Sequence, residues 1–256
     1  MPEIANSPLF EHDYAREAKI EPSRIIPPRD VPEACVICFF HEVVDKVSSE
    51  KSAHILATSH WEDGHHSLYE IEHRGQRLAF FHPGVGAPMA AGLLEEVIAL
   101  GCRKFVVVGG AGVLQKGLAV GHLFLVTSAV RDEGTSYHYL PPAREVAANP
   151  DVVQTLESLL AERRLPYLKA KTWTTDAPYR ETQAMIDARL AEGCLTVEME
   201  AAAFFAVAQF RNVLLGQILY AGDDLSSDTW DERGWQSRGE IRQSLFWLAA
   251  DACLRL

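Results

Sequence analysis

No apolar run in the 256-residue chain approaches the roughly 18 residues needed to cross a bilayer. The opening stretch MPEIANSPLFEHDYAREAKIEPS is polar and acidic, unlike a signal peptide, so a soluble protein of the cytoplasm with no membrane partner is expected. Cations are scarce: 24 Lys and Arg stand against 35 Asp and Glu, a net charge of −11. A field of that sign repels phosphate backbones, which argues against nucleic acid as a partner. A small anion remains allowed, because local cations or backbone N–H groups suffice to hold it. Cysteine is sparse and odd in number, and Cys35, Cys38, Cys102, Cys194 and Cys253 sit mostly in apolar runs. They read as buried free thiols. The CxxC at Cys35 and Cys38 falls in an expected strand, where residues three apart point to opposite faces, so redox or zinc use is disfavoured. GxGxxG is broken because Gly84 and Gly86 are followed by Met89, and there is no Walker loop, GxSxG elbow or HExxH pair. Dehydrogenase, P-loop and zinc-hydrolase chemistry are thereby disfavoured, and neither metal nor cofactor is expected.

What is present is an alternation of short apolar runs with helical periodicity. Residues 1–34 carry Pro2, Pro8, Pro22, Pro27 and Pro28 and read as an extended arm on the surface or on a neighbouring subunit. Residues 35–256 read as one α/β domain. Strands are expected at 35–40, 53–58, 67–71, 77–82, 104–108, 123–130, 167–173 and 213–220. Helices are expected at 89–100, 151–164, 181–192, 199–210 and 236–254. The order strand, glycine loop (His82 to Pro88), helix, strand, glycine loop (Gly109 to Gly112) is a βαβ unit, which builds a parallel sheet.

Three features carry chemistry. Gly84, Gly86, Gly109 and Gly110 lie where open α/β sheets bind ligands, at strand carboxyl ends. Glycine lets the backbone approach an anion or a sugar, although tight packing turns account for such loops equally well. Thr196-Val-Glu-Met-Glu-Ala-Ala-Ala places Glu198 and Glu200 at the mouth of a helix apolar all round. First-turn acids facing the helix dipole are the plain explanation. Yet a carboxylate entering a buried region is costly unless paired or bonding ligand hydroxyls, as a ribose diol would allow. Asp223 and Asp224, after an expected strand, are placed either for acid–base work or as loop caps.

Together and in this order, these features resemble the nucleoside phosphorylase superfamily, which includes uridine and purine nucleoside phosphorylases and methylthioadenosine nucleosidases. The likeness rests on HPGVGAPMAAGLLEEVIALGCRKFVVVGGAGVL, GTSYHY, WTTDAPYRET, VEMEAAAFFAVA and GDDL, and spans about residues 35–250. It implies a single domain with a central mixed, twisted sheet flanked by helices. It implies cleavage of the N-glycosidic bond of a purine or pyrimidine nucleoside, with inorganic phosphate as co-substrate. Met199 would pack near the sugar, Glu200 would hold the 2′ and 3′ hydroxyls, and Asp223 would stabilise the leaving base. Tyr179 and Arg180 would contact the base, and Gly84, Gly86, Gly109 and Gly110 would line the cleft. A homo-oligomer, either a dimer or a trimer of dimers, is implied as well.

The departures are specific. The family's GDPxR loop is here Phe39-Phe-His-Glu-Val-Val44. Its strand arginine falls at about Val107, and its phosphate-binding serine or threonine at Gly110. Phosphate sites normally use bidentate arginines and hydroxyls. Hydrolysis is therefore the alternative, with Glu42 at the place where the nucleosidases carry a water-activating carboxylate. Phosphorolysis would need His65, His66 or Arg131 to rebuild the anion site. A non-catalytic nucleoside-binding relative is the third reading.

Overall fold

The computed structural model describes residues 7–50 and 53–256; Pro2 and the rest of 1–6 lie outside the described residues. Residues 7–33 contain a 3-10 turn (Pro8–Phe10) and one short α-helix, α1 (Pro22–Ile25), and run against the chain's own surface. Arg16 lies over the Phe210 ring, 4.2 Å from its centroid, and Glu21 pairs with Arg211.

The strands are β1 (Ala34–Cys38), β2 (His54–Trp61), β3 (Gly64–His73), β4 (Gln76–Phe81), β5 (Lys104–Val113), β6 (Leu123–Asp132), β7 (Glu145–Ala147), β8 (Tyr167–Thr175), β9 (Cys194–Glu198) and β10 (Leu214–Asp224). The remaining helices are α2 (His41–Glu50), α3 (Ala87–Leu100), α4 (Pro150–Glu162), α5 (Gln183–Ala191), α6 (Ala201–Arg211) and α7 (Gly239–Cys253). Among the described residues the strands form one mixed sheet with β5 at its centre. The first half of β5 pairs in parallel with β1, whose other neighbour is β4; β3 and β2 continue outward as antiparallel strands. The crossover β4–α3–β5 therefore straddles β1, as the βαβ reading requires.

The expected glycine loop at Gly109 to Gly112 is corrected: it is strand. Beyond Val108, β5 continues beside β10 and meets β9 antiparallel at Gly112 and Val113. β10 pairs with β6, β6 with β8 and β8 with β9. The strands β5, β10, β6, β8 and β9 thus close into a ring, and β1, β4, β3 and β2 extend from one wall. The reason is steric. Glycines let neighbouring side chains cross a strand face closely, and a Cβ on Gly112 would stand 2.5 Å from Leu225 Cδ1 and 3.0 Å from Val197 Cγ1.

Strand alternation divides the core. Cys35 and Ile37 of β1, with Phe105 and Val107 of β5, face α3 and α6. Val36, Cys38, Val106 and Val108 face α2, α4 and α7. Cys35 and Cys38 accordingly lie in different layers. The first eight residues of α6, Ala201 to Ala208, are all buried, as a helix apolar on every side must be. Its end is fastened by Arg211, whose guanidinium meets Glu95 of α3 at 2.7 Å and Glu21 at 2.8 Å. Asn212 then takes the left-handed C-cap at φ 55°.

Candidate functional site

Two adjoining cavities of about 580 and 550 Å³ lie over the carboxyl half of β5 and β10, and share Gly110, Glu198, Met199 and Trp235 as a common wall. Phe39, Glu42, Gln217 and Arg242 bound the first, and Glu181, Asp223 and Trp230 the second.

The common wall comes from the β9–α6 junction. The expected helix from Met199 is corrected to one starting at Ala201, and Glu198 is the last residue of β9, so the two glutamates are not two points on one helix. Their tasks separate accordingly. Glu198 accepts the Thr174 hydroxyl at 2.6 Å and the backbone N–H groups of Glu200 and Ala201 at 2.7 and 2.6 Å. It satisfies donors that a helix N-terminus leaves orphaned. Burial raises its pKa, and these three bonds oppose the rise. Glu200 is the N-cap residue, and its Oε1 accepts the Gly86 N–H at 2.6 Å. The glycine turn and the acid are thereby joined across 114 positions of sequence. Burial, with the Glu198 charge second, pushes the Glu200 carboxyl up to about 8. A carboxyl in that state gains from any ligand that donates to its second oxygen.

The turn itself needs glycine. Gly84 has φ +73°, and a Cβ there would stand 2.3 Å from Met89 Cγ; Gly86 has φ +91°. His82 braces the same turn, its Nδ1 accepting the Gly84 N–H at 3.1 Å. Burial, then the neighbouring His41, pushes His82 down to about 4, so it is neutral at physiological pH.

In the second cavity, Asp223 lies near the end of β10, not after it, and its Oδ2 accepts the Trp230 indole N–H at 2.7 Å. Asp224 turns away, accepting the Ser226 N–H at 2.8 Å and meeting Arg233 at 3.5 Å. Tyr179 stands on the rim, 98% exposed. Arg180 is exposed and is not part of the lining; Glu181, which sequence reasoning missed, lines the cavity instead. Burial and the nearby Asp223 charge push the Glu181 carboxyl up to about 7.

The first cavity holds the departures. Val107 is fully buried in the core, and a Cβ on Gly110 would meet Tyr220 Cε1 at 3.2 Å and the Trp235 ring at 3.4 Å. Trp235 occupies the room a hydroxyl-bearing side chain would need. His41 and Glu42 start α2, a helix the sequence reading passed over although Val43, Val44 and Val47 share its buried face. Arg131 is committed elsewhere: it donates to Ser136 Oγ and to the carbonyls of Leu140 and Pro141. His65 and His66 line an adjoining chamber that shares His41 and Val85 with the first cavity. The nearest cation is Arg242 of α7, whose Nε lies 2.7 Å from Glu42 Oε1 and whose Cζ sits 4.6 Å from the Phe40 ring centroid. No cluster of three or more metal-ligating side chains occurs among the described residues.

Comparison with known proteins places these features in context. Residues 33–244 match the family described as the Phosphorylase superfamily. The chain is 25% identical over 231 residues to a guanosine phosphorylase of Halorubrum lacusprofundi, covering 88% of this chain and 95% of that one. It is 30% identical over 192 residues to a uridine phosphorylase of Treponema pallidum, covering 68% and 73%. In fold it is similar to the uridine phosphorylase of Vibrio fischeri, with a TM-score of 0.74 at 19% identity over 89% of this chain and 94% of that one. It is similar in fold also to an AMP nucleosidase of Bacteroides thetaiotaomicron, with a TM-score of 0.70 at 19% identity over 88% and 89%.

Proposed function

The chain belongs to the phosphorylase superfamily, and from that premise we propose that it cleaves the N-glycosidic bond of a nucleoside. The observation that carries this reading is Glu200: a buried carboxyl whose Oε1 is fixed by the Gly86 N–H and which lines the first cavity beside the Glu198 and Met199 wall shared with the second. A ribose laid against Met199 would donate its 2′ and 3′ hydroxyls to the Glu200 carboxyl. The base would enter the cavity of Asp223, Glu181 and Trp230, leaving C1′ near Gly110. Holding the sugar at both hydroxyls fixes C1′ against its attacker, where much of the barrier reduction from orientation arises.

Bond cleavage leaves an oxocarbenium-like sugar and an electron-rich base. Asp223 has its Oδ2 held by Trp230, which leaves Oδ1 to hydrogen-bond or protonate a base nitrogen. Glu181, protonated below about pH 7, would supply a further donor to the base. A pocket of acids and aryl rings suits a purine or a uracil carbonyl edge alike, in keeping with the relatives named above.

For the attacking group there are two readings. Phosphate is the co-substrate implied by the names of the relatives. Water is favoured by Val107 and Gly110, where the arginine and the hydroxyl of a phosphate cradle are replaced by a core side chain and a tryptophan-covered glycine. Incubating the purified protein with purine and pyrimidine ribonucleosides, in phosphate and in phosphate-free buffer, tests both. Free base is expected from at least one nucleoside. Its absence from all of them in both buffers would overturn the proposal.

A further inference from the structure

Trp230 stands in the stretch between β10 and α7, and the backbone there is built to place it. Asp224 and Asp231 exchange both backbone hydrogen bonds, at 2.8 and 3.0 Å, so the chain leaves β10 after Asp224 and returns to it at Asp231. Arg233, left-handed at φ 51°, fastens the return by donating to the carbonyls of Leu118 and Asp223 at 2.7 and 3.0 Å. Trp230 immediately precedes the returning residue. Its ring lines the second cavity, and its indole N–H reaches Asp223 Oδ2 at 2.7 Å.

That bond makes the two oxygens of Asp223 unlike. An indole nitrogen donates and cannot accept. A proton on Oδ2 would meet the Trp230 hydrogen, so a protonated Asp223 carries its proton on Oδ1. Oδ1 lies on the Gly112 side: a Cβ on Gly112 would stand 3.5 Å from it, and Gly112 and Asp223 both line the cavity. Other donors would not act in the same way. A serine hydroxyl can turn and accept, which lets the proton sit on either oxygen. A guanidinium can also hold Oδ2, but its positive charge favours the ionised carboxylate. The indole fixes one oxygen without adding charge.

Resting on the nucleoside-cleaving reading above, we propose that Trp230 is a positioning residue for Asp223, an uncharged donor-only partner that confines the acid proton to Oδ1, the oxygen on the Gly112 side of the base cavity. The C1′–N bond breaks as the attacking oxygen, from phosphate or water, bonds to C1′. The electron pair of the broken bond goes to the base, and a base nitrogen takes the proton from Oδ1. Asp223 is left ionised with Oδ2 still on the indole N–H. It regains a proton from solvent once the base has left.

Trp230→Phe in the full-length protein keeps an aromatic ring and removes the N–H, and at 63% exposure the site takes the smaller ring without disturbing the core. Steady-state kinetics are measured on the best nucleoside of the panel and on a nitrophenyl riboside, whose leaving group needs no proton. On the nucleoside, kcat should fall by about 10–10²-fold, the scale of a misplaced acid, with KM within a factor of about three. On the riboside, kcat should stay within a factor of about two. Trp230→Arg, which returns a donor together with a charge, should leave the nucleoside rate low. Equal losses on both substrates in Trp230→Phe would mark a merely structural residue and overturn the proposal. Wild-type kcat on the nucleoside in Trp230→Phe, or full recovery in Trp230→Arg, would overturn it while leaving nucleoside cleavage standing. No base from any nucleoside with the wild-type protein would remove the parent reading, and the role of Trp230 with it.

Discussion

Replacing Glu200 by Gln probes the sugar end of the site with little disturbance of the fold. The carboxylate accepts the Gly86 N–H through Oε1 at 2.6 Å, and a glutamine carbonyl in the same place keeps that bond. The other position becomes an NH₂, which donates where the ribose needs an acceptor. Assayed above about pH 8, where this carboxyl is ionised, two hydrogen bonds from ribose hydroxyls to a charged group, each worth about 1.5–3 kcal/mol, are removed. The loss is about 3–6 kcal/mol, a fall of about 10²–10⁴ in kcat/KM. The residue is 6% exposed, so the effect is not diluted by solvent. Steady-state kinetics on a ribonucleoside and its 2′,3′-dideoxy analogue separates the cause from general damage. Wild type should discriminate strongly between the two, and Glu200→Gln should process both at similar low rates. A variant that keeps wild-type kcat/KM, or keeps the full preference for the ribonucleoside, would refute the assignment of the diol to Glu200.

Asp223→Asn should lower kcat by about 10²–10⁴-fold on natural nucleosides, the range of a positioned acid, and should spare a nitrophenyl riboside, whose leaving group needs no proton; equal losses on both substrates would contradict the leaving-group role. Glu181 is protonated below about 7, and its ionisation removes a donor from the base pocket. The kcat/KM profile should therefore fall as pH rises through about 7 and be flat there in Glu181→Gln; an unchanged limb in the variant would clear Glu181. Arg211→Met strands Glu21 and Glu95, which are 6% exposed each, without their cation. Denaturant unfolding should report a loss of about 3–5 kcal/mol, and a change below about 1 kcal/mol would mean the clamp is not stabilising.

The sequence was most informative where local period and chemistry agree. The β4–α3–β5 unit was legible because apolar spacing switches from strand to helix between Phe81 and Met89, with glycines at the joint. Glycines also misled: Gly109 to Gly112 reads as a loop by composition, and only pairing with β10 on one side and β9 on the other makes it strand. The Glu198–Glu200 segment was read as one helix because the alanines after it dominate the pattern. Its strand half is fixed by pairing with β8. Glu200 itself was legible as an acid entering an apolar helix, whereas its bond to Gly86 is tertiary and carries no local signal. Gln217 had one: a lone amide in the apolar run Leu214-Leu-Gly-Gln-Ile-Leu-Tyr220. Arg242 had none, since α7 follows the rest of the site in sequence and its approach to Glu42 spans 200 positions.

The most direct measurement is a crystal structure with a nucleoside analogue whose glycosidic bond resists cleavage. The account predicts the ribose 2′ and 3′ hydroxyls on the Glu200 carboxyl, at about 2.5–2.7 Å as charge-assisted O–H bonds, with the base between Asp223 and Glu181. A sugar seated away from Glu200, or an analogue bound outside these two cavities, would contradict it.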